Sequence, residues 1–191
     1  MSAETSETRK PPLRVKLAPE KGNELLGWLL LALGLLLGLS FGSYSSRDPS
    51  LFHSVPGPPP RIDNLIGKVG AELSALAAQF LGPTAILVPV LLLIGGLRRV
   101  RRREIKKVVG RGAGAMVLLG TLPALLHLTV VTIPWRHGAL RAGGAFGELL
   151  AEALRARMND VGAALVLVTL TLAGATLLVQ STLGEVLSSW R

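Results

Sequence analysis

Enzyme chemistry needs nucleophiles, acid–base groups or metal ligands held close together, and this 191-residue chain supplies few of them. There is no Cys, which excludes disulfides and thiolate chemistry. The three His residues are His53, His127 and His137, and none has metal-ligand spacing with another. No Ser-His-Asp arrangement or carboxylate pair is placed for catalysis. Two glycine-containing stretches invite a phosphate-binding reading, and both fail. Gly67-Lys68-Val69 lacks the upstream Gly and the following Ser or Thr of a phosphate loop. Gly110-Arg111-Gly112-Ala113-Gly114 lacks a Lys and opens an apolar run. The expectation is a chain with no catalytic residue, cofactor or metal of its own.

The elements around these residues explain the shortage. Hydrophobic residues make up 49% of the chain and charged residues 17%, against about 25% charged in an ordinary soluble domain. The charges cluster and leave four long gaps. No Asp, Glu, Lys or Arg occurs over residues 25–46, 73–97, 112–135 or 161–184. At about 1.5 Å per residue, roughly 20 apolar residues span a hydrocarbon core of about 30 Å. The runs lack strand alternation, and backbone groups in lipid must find partners within their own segment, so helices are required. The fold class is therefore an all-α integral membrane protein with four spans, near 25–44, 73–97, 112–133 and 161–184. The apolar stretch 25–41 is longer than the core of a signal peptide, and no convincing cleavage site follows it, so it is read as an uncleaved span.

Lys and Arg set the orientation. Fourteen lie before the first span, between the second and third, and after the fourth; seven lie in the other two loops. The richer side should be cytoplasmic, with both termini inside. Trp28 and Trp190 then mark the inner boundary, and Tyr44 and Trp135 the outer one. Residues 1–23 are aperiodic and read as a disordered tail, and 185–191 as the start of a cytoplasmic segment. The first outer loop holds Pro56, Gly57, Pro58, Pro59 and Pro60, an extended stretch. After it, Ile62, Leu65, Ile66, Val69, Leu73 and Leu76 form an amphipathic helix that runs into the second span, with bends expected at Gly82-Pro83 and Pro89. The second outer loop repeats this pattern: an apolar face of Phe146, Leu149, Leu150, Ala153, Leu154 and Met158, then a break near Asn159-Asp160.

Three features remain as candidate sites. The inner loop carries Arg98, Arg99, Arg101, Arg102, Arg103, Lys106, Lys107 and Arg111, a cluster suited to anionic lipid headgroups and to fixing topology. His127 is the only ionisable group within a span and is expected to hydrogen-bond to another helix. Gly34, Gly38 and Gly42 share one face of the first span and are expected to let another helix approach, in the same or a second subunit.

Several short motifs, taken in order, resemble the N-terminal membrane domain of FtsK/SpoIIIE-type bacterial DNA translocases. They are Ser43-Tyr44-Ser45 with Asp48-Pro49-Ser50; Asn64-Leu65-Ile66-Gly67; Val69-Gly70-Ala71; Phe80-Leu81-Gly82 with Pro89; and Gly143-Gly144 with Gly147, ahead of Gly162. The match covers roughly residues 25–183, and Asn159 stands where such proteins usually have Gly. The resemblance implies a membrane anchor in the bacterial inner membrane at the division septum, part of a hexamer, working with other cell-division proteins. It implies that DNA, ATP and Mg are handled by a motor domain absent from this chain. A small transporter or channel subunit, or a membrane scaffold unrelated to DNA, is the alternative from the residues alone.

Overall fold

The computed structural model describes residues 19–51, 61–101, 108–136 and 138–188. The proline-rich loop, His53, His137, Arg102, Arg103, Lys106, Lys107 and Trp190 lie outside the described residues. The elements are α1 (Pro19–Gly42), α2 (Gly67–Leu81), a 3-10 turn (Gly82–Ile86), α3 (Leu87–Val100), α4 (Val108–Thr129), β1 (Thr132–Trp135), β2 (Gly138–Arg141) and α5 (Gly144–Ser188). Leu and Ala dominate the long helices, and both residues favour helix. Helix α1 begins at Pro19, a residue whose fixed φ suits a first turn, so residues 19–23 are helix and not tail.

Among the described residues, four helical stretches are long and apolar enough to cross a membrane, and only 17–28% of their apolar windows is buried inside the protein. Leu29, Leu33, Leu35, Met116, Leu165 and Leu172 all stand exposed. Such a continuous apolar exterior requires a hydrocarbon solvent.

The chain makes two antiparallel pairs. Along α1 and α3, Gly38 faces Pro89, Gly34 faces Leu93, and Gly27 faces Arg99 and Val100. Along α4 and α5, Thr171 donates a hydrogen bond to Thr121 at 2.9 Å, and Gly174 meets Gly114. One end of the bundle therefore gathers the start of α1, the end of α3 and the start of α4, with Arg98, Arg99, Arg101 and Arg111; this is the arginine end. The other carries the β-hairpin and is the hairpin end.

Each pair has a crosswise helix at the hairpin end. Ser40 bonds to Gly70 while nearby Gly38 faces Pro89, so residues 70–88 make no net progress along α1. The part of the second apolar stretch that descends beside α1 thus begins after the 3-10 turn, later than the expected residue 73. Gly82 and Pro83 cause this: Gly82 takes φ +60°, and Pro83 occupies the first turn of the 3-10 segment. In the second pair, Gly147 faces Pro123 and buried Ala151 and Leu167 both pack with Ala124, so residues 144–158 also lie across their partner. The helix breaks at Asn159, with φ 57° and ψ 176°, and residues 160–188 descend along α4.

Beyond the expected helices, the chain forms a short β-hairpin. Thr132 pairs with Arg141, and Trp135 with Gly138, across a two-residue turn. Helix α4 ends at Thr129, short of the expected limit near 133, because Pro134 cannot extend a helix and its neighbours pair as strand instead.

Candidate functional site

At the hairpin end, a buried polar clasp ties the exit of α1 to the start of α2. Ser40 Oγ donates to the Gly70 carbonyl at 2.7 Å. The Asn64 amide donates to the Ser40 carbonyl at 2.8 Å and to Ser74 Oγ at 3.3 Å, and its oxygen accepts from the Ile66 N–H at 3.1 Å. Ser43 Oγ donates to the Leu39 carbonyl and accepts from the Leu65 N–H at 3.0 Å. Asp48 Oδ1 accepts from the Asp63 N–H at 2.8 Å. Glu72 of α2 accepts from the Leu51 N–H at 3.1 Å, holding the far side of the same loop. Buried polar groups cost stability unless paired, and this set pairs nearly all of its own. Gly70 leaves the room that Asn64 needs: a side chain there would collide with the Asn64 amide and with Ile66.

Apolar packing backs the clasp. Phe41, Tyr44, Ala75, Ala78, Ala85 and Leu140 form one buried cluster, with Trp135 against it. The Phe41 and Trp135 rings lie 5.4 Å apart and tilted. Tyr44, expected as a boundary ring, is instead 5% exposed and packed on Phe41. Burial raises its phenol above the ordinary value of 10.0, and the nearby Asp48 carboxylate adds to this. Arg136, at the hairpin turn, donates to the Gly42 carbonyl at 3.3 Å and joins the hairpin to α1.

A second junction joins the two halves. Gly82 and Gly144 both have positive φ and sit back to back. A methyl group on Gly144 would lie 2.5 Å from the Phe80 carbonyl, and one on Gly82 would strike the Arg141 carbonyl. Only glycine fits either position.

The sequence-derived candidates fare unevenly. Gly34 and Gly38 do face another helix, α3 of the same chain, whereas Gly42 has nothing within 4 Å. Close backbone contacts between the paired helices lie elsewhere as well. A methyl on Gly96 would lie 2.8 Å from the Gly27 carbonyl oxygen, and one on Gly114 2.8 Å from that of Gly174. Gly27 sits seven residues before Gly34 on the same face, a spacing that could have exposed it. His127 does not make the expected hydrogen bond. Its Nε2 is 3.9 Å from Glu152 Oε1 on α5, too long for one, and its Nδ1 is buried without a partner. Glu152 itself accepts from Arg155 at 2.9 Å. Of the basic loop, Arg98 and Arg99 form the last turn of α3, Arg101 follows it, and Arg99 donates to Asn23 of α1. No cluster of three or more metal-ligating side chains occurs among the described residues.

The motifs scattered through the sequence thus converge on the hairpin end: residues 43–48 and 64–70 in the clasp, 80–82 and 143–147 at the glycine junction. The description "4TM region of DNA translocase FtsK/SpoIIIE" matches residues 20–191. The chain belongs to that family. A protein of Azospirillum brasilense named DNA translocase FtsK is 30% identical over 136 residues, which cover 69% of this chain and 21% of that protein. One of the same name from Pseudomonas aeruginosa is 30% identical over 78% of this chain and 19% of its own length. A third, from Brucella suis, is 30% identical over 66% of this chain and 14% of its length. The chain thus spans about a fifth or less of these relatives and matches their four-helix membrane region, not a motor. It is a multi-pass bacterial membrane domain set in a lipid bilayer. No solved structure matches it significantly.

Proposed function

We propose that this domain anchors a DNA translocase in the cytoplasmic membrane at the division septum, with the arginine end inside, as one subunit of a hexamer that contacts other division proteins. The observation that carries the reading is the family match over residues 20–191, together with relatives named DNA translocase. DNA, ATP and Mg belong to a motor segment outside residues 1–191, and this chain binds no nucleotide itself. The hairpin end supports an anchoring role. Its clasp and glycine junction fix two crosswise helices and a hairpin into one rigid outer surface, suited to meeting partner proteins outside the membrane.

A fluorescent fusion of residues 1–191 tests the proposal. In dividing bacterial cells it should concentrate at midcell with no motor attached. An even distribution around the membrane, in cells whose division machinery is assembled, would overturn the septal reading and favour a scaffold or transporter role.

A further inference from the structure

Each crosswise helix has three faces. On α2, Gly70, Ala71, Ser74, Ala75 and Ala78 are buried against the bundle. Lys68, Glu72 and Gln79 share a second side at helical spacing. The third side holds Val69, Leu76 and Phe80, all exposed. Residues 144–158 repeat the pattern. Gly147 and Ala151 pack on α4, and Glu148, Glu152 and Arg155 share a polar side. Phe146 and Leu149 stand exposed on the third side, Leu149 by 71%. The depth of these helices decides what meets their third faces. Ser40 of α1 bonds to Gly70 of α2. From Gly27, beside the last turn of α3, to Ser40 is about 20 Å of helix at about 1.5 Å per residue. From Arg111 to Pro123, where Gly147 crosses α4, is about 18 Å. A hydrocarbon core is about 30 Å thick, so with the arginine end at one boundary both crosswise helices lie past the midplane, about 10 Å short of the other boundary. Helix α4 itself runs on beyond the crossing, through Leu125 and Leu128 to Thr129.

We infer that both crosswise helices are seated inside the leaflet at the hairpin end, their third faces against its acyl chains and their polar sides toward its headgroups. A depth of about 5–10 Å below the headgroup boundary is where amphipathic helices come to rest. The exposed stripes are continuous with the apolar exterior that the spans already give to lipid. Leu39 flanks Ser40 on α1, and Val161 and Leu165 follow the break at Asn159, and all three are exposed. A protein in the water outside cannot reach stripes at this depth, whereas acyl chains surround them. Two helices laid across one leaflet make the domain wider at the hairpin end, so it displaces more lipid from that leaflet than from the other. The seat requires only that the long helices cross a bilayer, so it stands or falls apart from septal targeting.

The test uses the 191-residue chain in vesicles of phosphatidylethanolamine and phosphatidylglycerol, with a nitroxide label on one introduced cysteine at a time. Leu76→Cys and Leu149→Cys report the third faces, and Gln79→Cys the polar side of α2. Arg61→Cys is the reference for water and Leu172→Cys the reference for hydrocarbon. All five side chains are exposed, so the labels displace no packing. Collisions with oxygen, which concentrates in hydrocarbon, are compared with collisions with a polar nickel chelate, which stays in water. The oxygen-to-nickel ratio at Leu76→Cys and Leu149→Cys should be several times that at Arg61→Cys and close to that at Leu172→Cys. Gln79→Cys should stay near the Arg61→Cys value. If the third-face labels match Arg61→Cys, the crosswise helices lie in water and the inference fails. If both reagents are excluded from the third faces while oxygen reaches Leu172→Cys, a second copy of the chain covers them and the lipid assignment fails. If Gln79→Cys matches Leu76→Cys, the helices are sunk whole into the hydrocarbon core, and a seat with one side toward the headgroups is overturned.

Discussion

Tyr44 is the only tyrosine in the chain, so its ionisation can be followed by phenolate absorbance without interference. Its phenol is held neutral by burial against Phe41 and by the Asp48 carboxylate, both of which raise its pKa above 10.0. A folded value above the unfolded one means a stabilising contribution present below about pH 10 and lost as pH rises through the raised value. Titration of the folded chain in detergent should give a midpoint above 10.0, and the unfolded chain a midpoint near it. Equal midpoints would show that the phenol is not buried. Asn159 is the other residue whose local state has a measurable consequence. At φ 57° and ψ 176° it occupies a region that is almost exclusively glycine's. Glycine adopts that region freely, so Asn159→Gly should relieve strain of about 1 kcal/mol. The midpoint of thermal unfolding should therefore rise; a fall would mean that the Asn side chain contributes more than the strain costs.

Element by element, sequence and structure agree most where the solvent dictates the answer. Four apolar runs of lipid-spanning length leave a chain little choice, and four long apolar helices follow. Amphipathic spacing likewise exposed both crosswise helices, and the turn residues Gly82, Pro83 and Asn159 marked their ends. What stayed hidden depends on pairing between distant segments. The hairpin needs Thr132 and Arg141 to meet, the clasp needs Asn64 to reach Ser40, and neither contact has a local pattern. The glycines show the same limit. Regular spacing singles out Gly34, Gly38 and Gly42, but between α1 and α3 the closest backbone approach is between Gly27 and Gly96, which share no pattern within one helix. At Gly96 the opposing atom is a backbone oxygen, which can retreat only if α1 and α3 separate. Gly96→Leu should thus lose about 1–3 kcal/mol of stability, as overpacked sites do. Gly38→Ala, whose new methyl would sit at an ordinary 3.6 Å from Pro89, should stay within about 0.5 kcal/mol. Thermal unfolding of the two variants beside the parent decides this, and equal losses would contradict the assigned helix contact.

Across the whole molecule, the two ends are chemically unlike. At the hairpin end bases and acids are interspersed: Arg141 pairs with Glu148, and Arg155 with Glu152 and Asp160. The arginine end gathers Arg98, Arg99, Arg101 and Arg111 within a few turns of helix, and α1 begins while α5 ends on this same side. Lys and Arg near span ends govern orientation more strongly than acids do, so the arginine end should face the cytoplasm even though the hairpin end carries bases of its own. The absence of Cys makes a direct test simple. Arg61 and Arg101 are both exposed, and they lie toward opposite ends of the bundle. With Arg61→Cys or Arg101→Cys introduced singly, right-side-out spheroplasts are treated with a membrane-impermeant thiol reagent. The Arg61→Cys chain should label at once. The Arg101→Cys chain should label only after the membrane is opened, since its thiol would lie beside the basic cluster on the inner face. The reverse pattern would invert the molecule, placing the crosswise helices, the clasp and the hairpin in the cytoplasm and the arginine end at the outer face. Labelling of both chains in sealed spheroplasts would mean that the arginine end is open to the outside, and the four-crossing arrangement itself would fail.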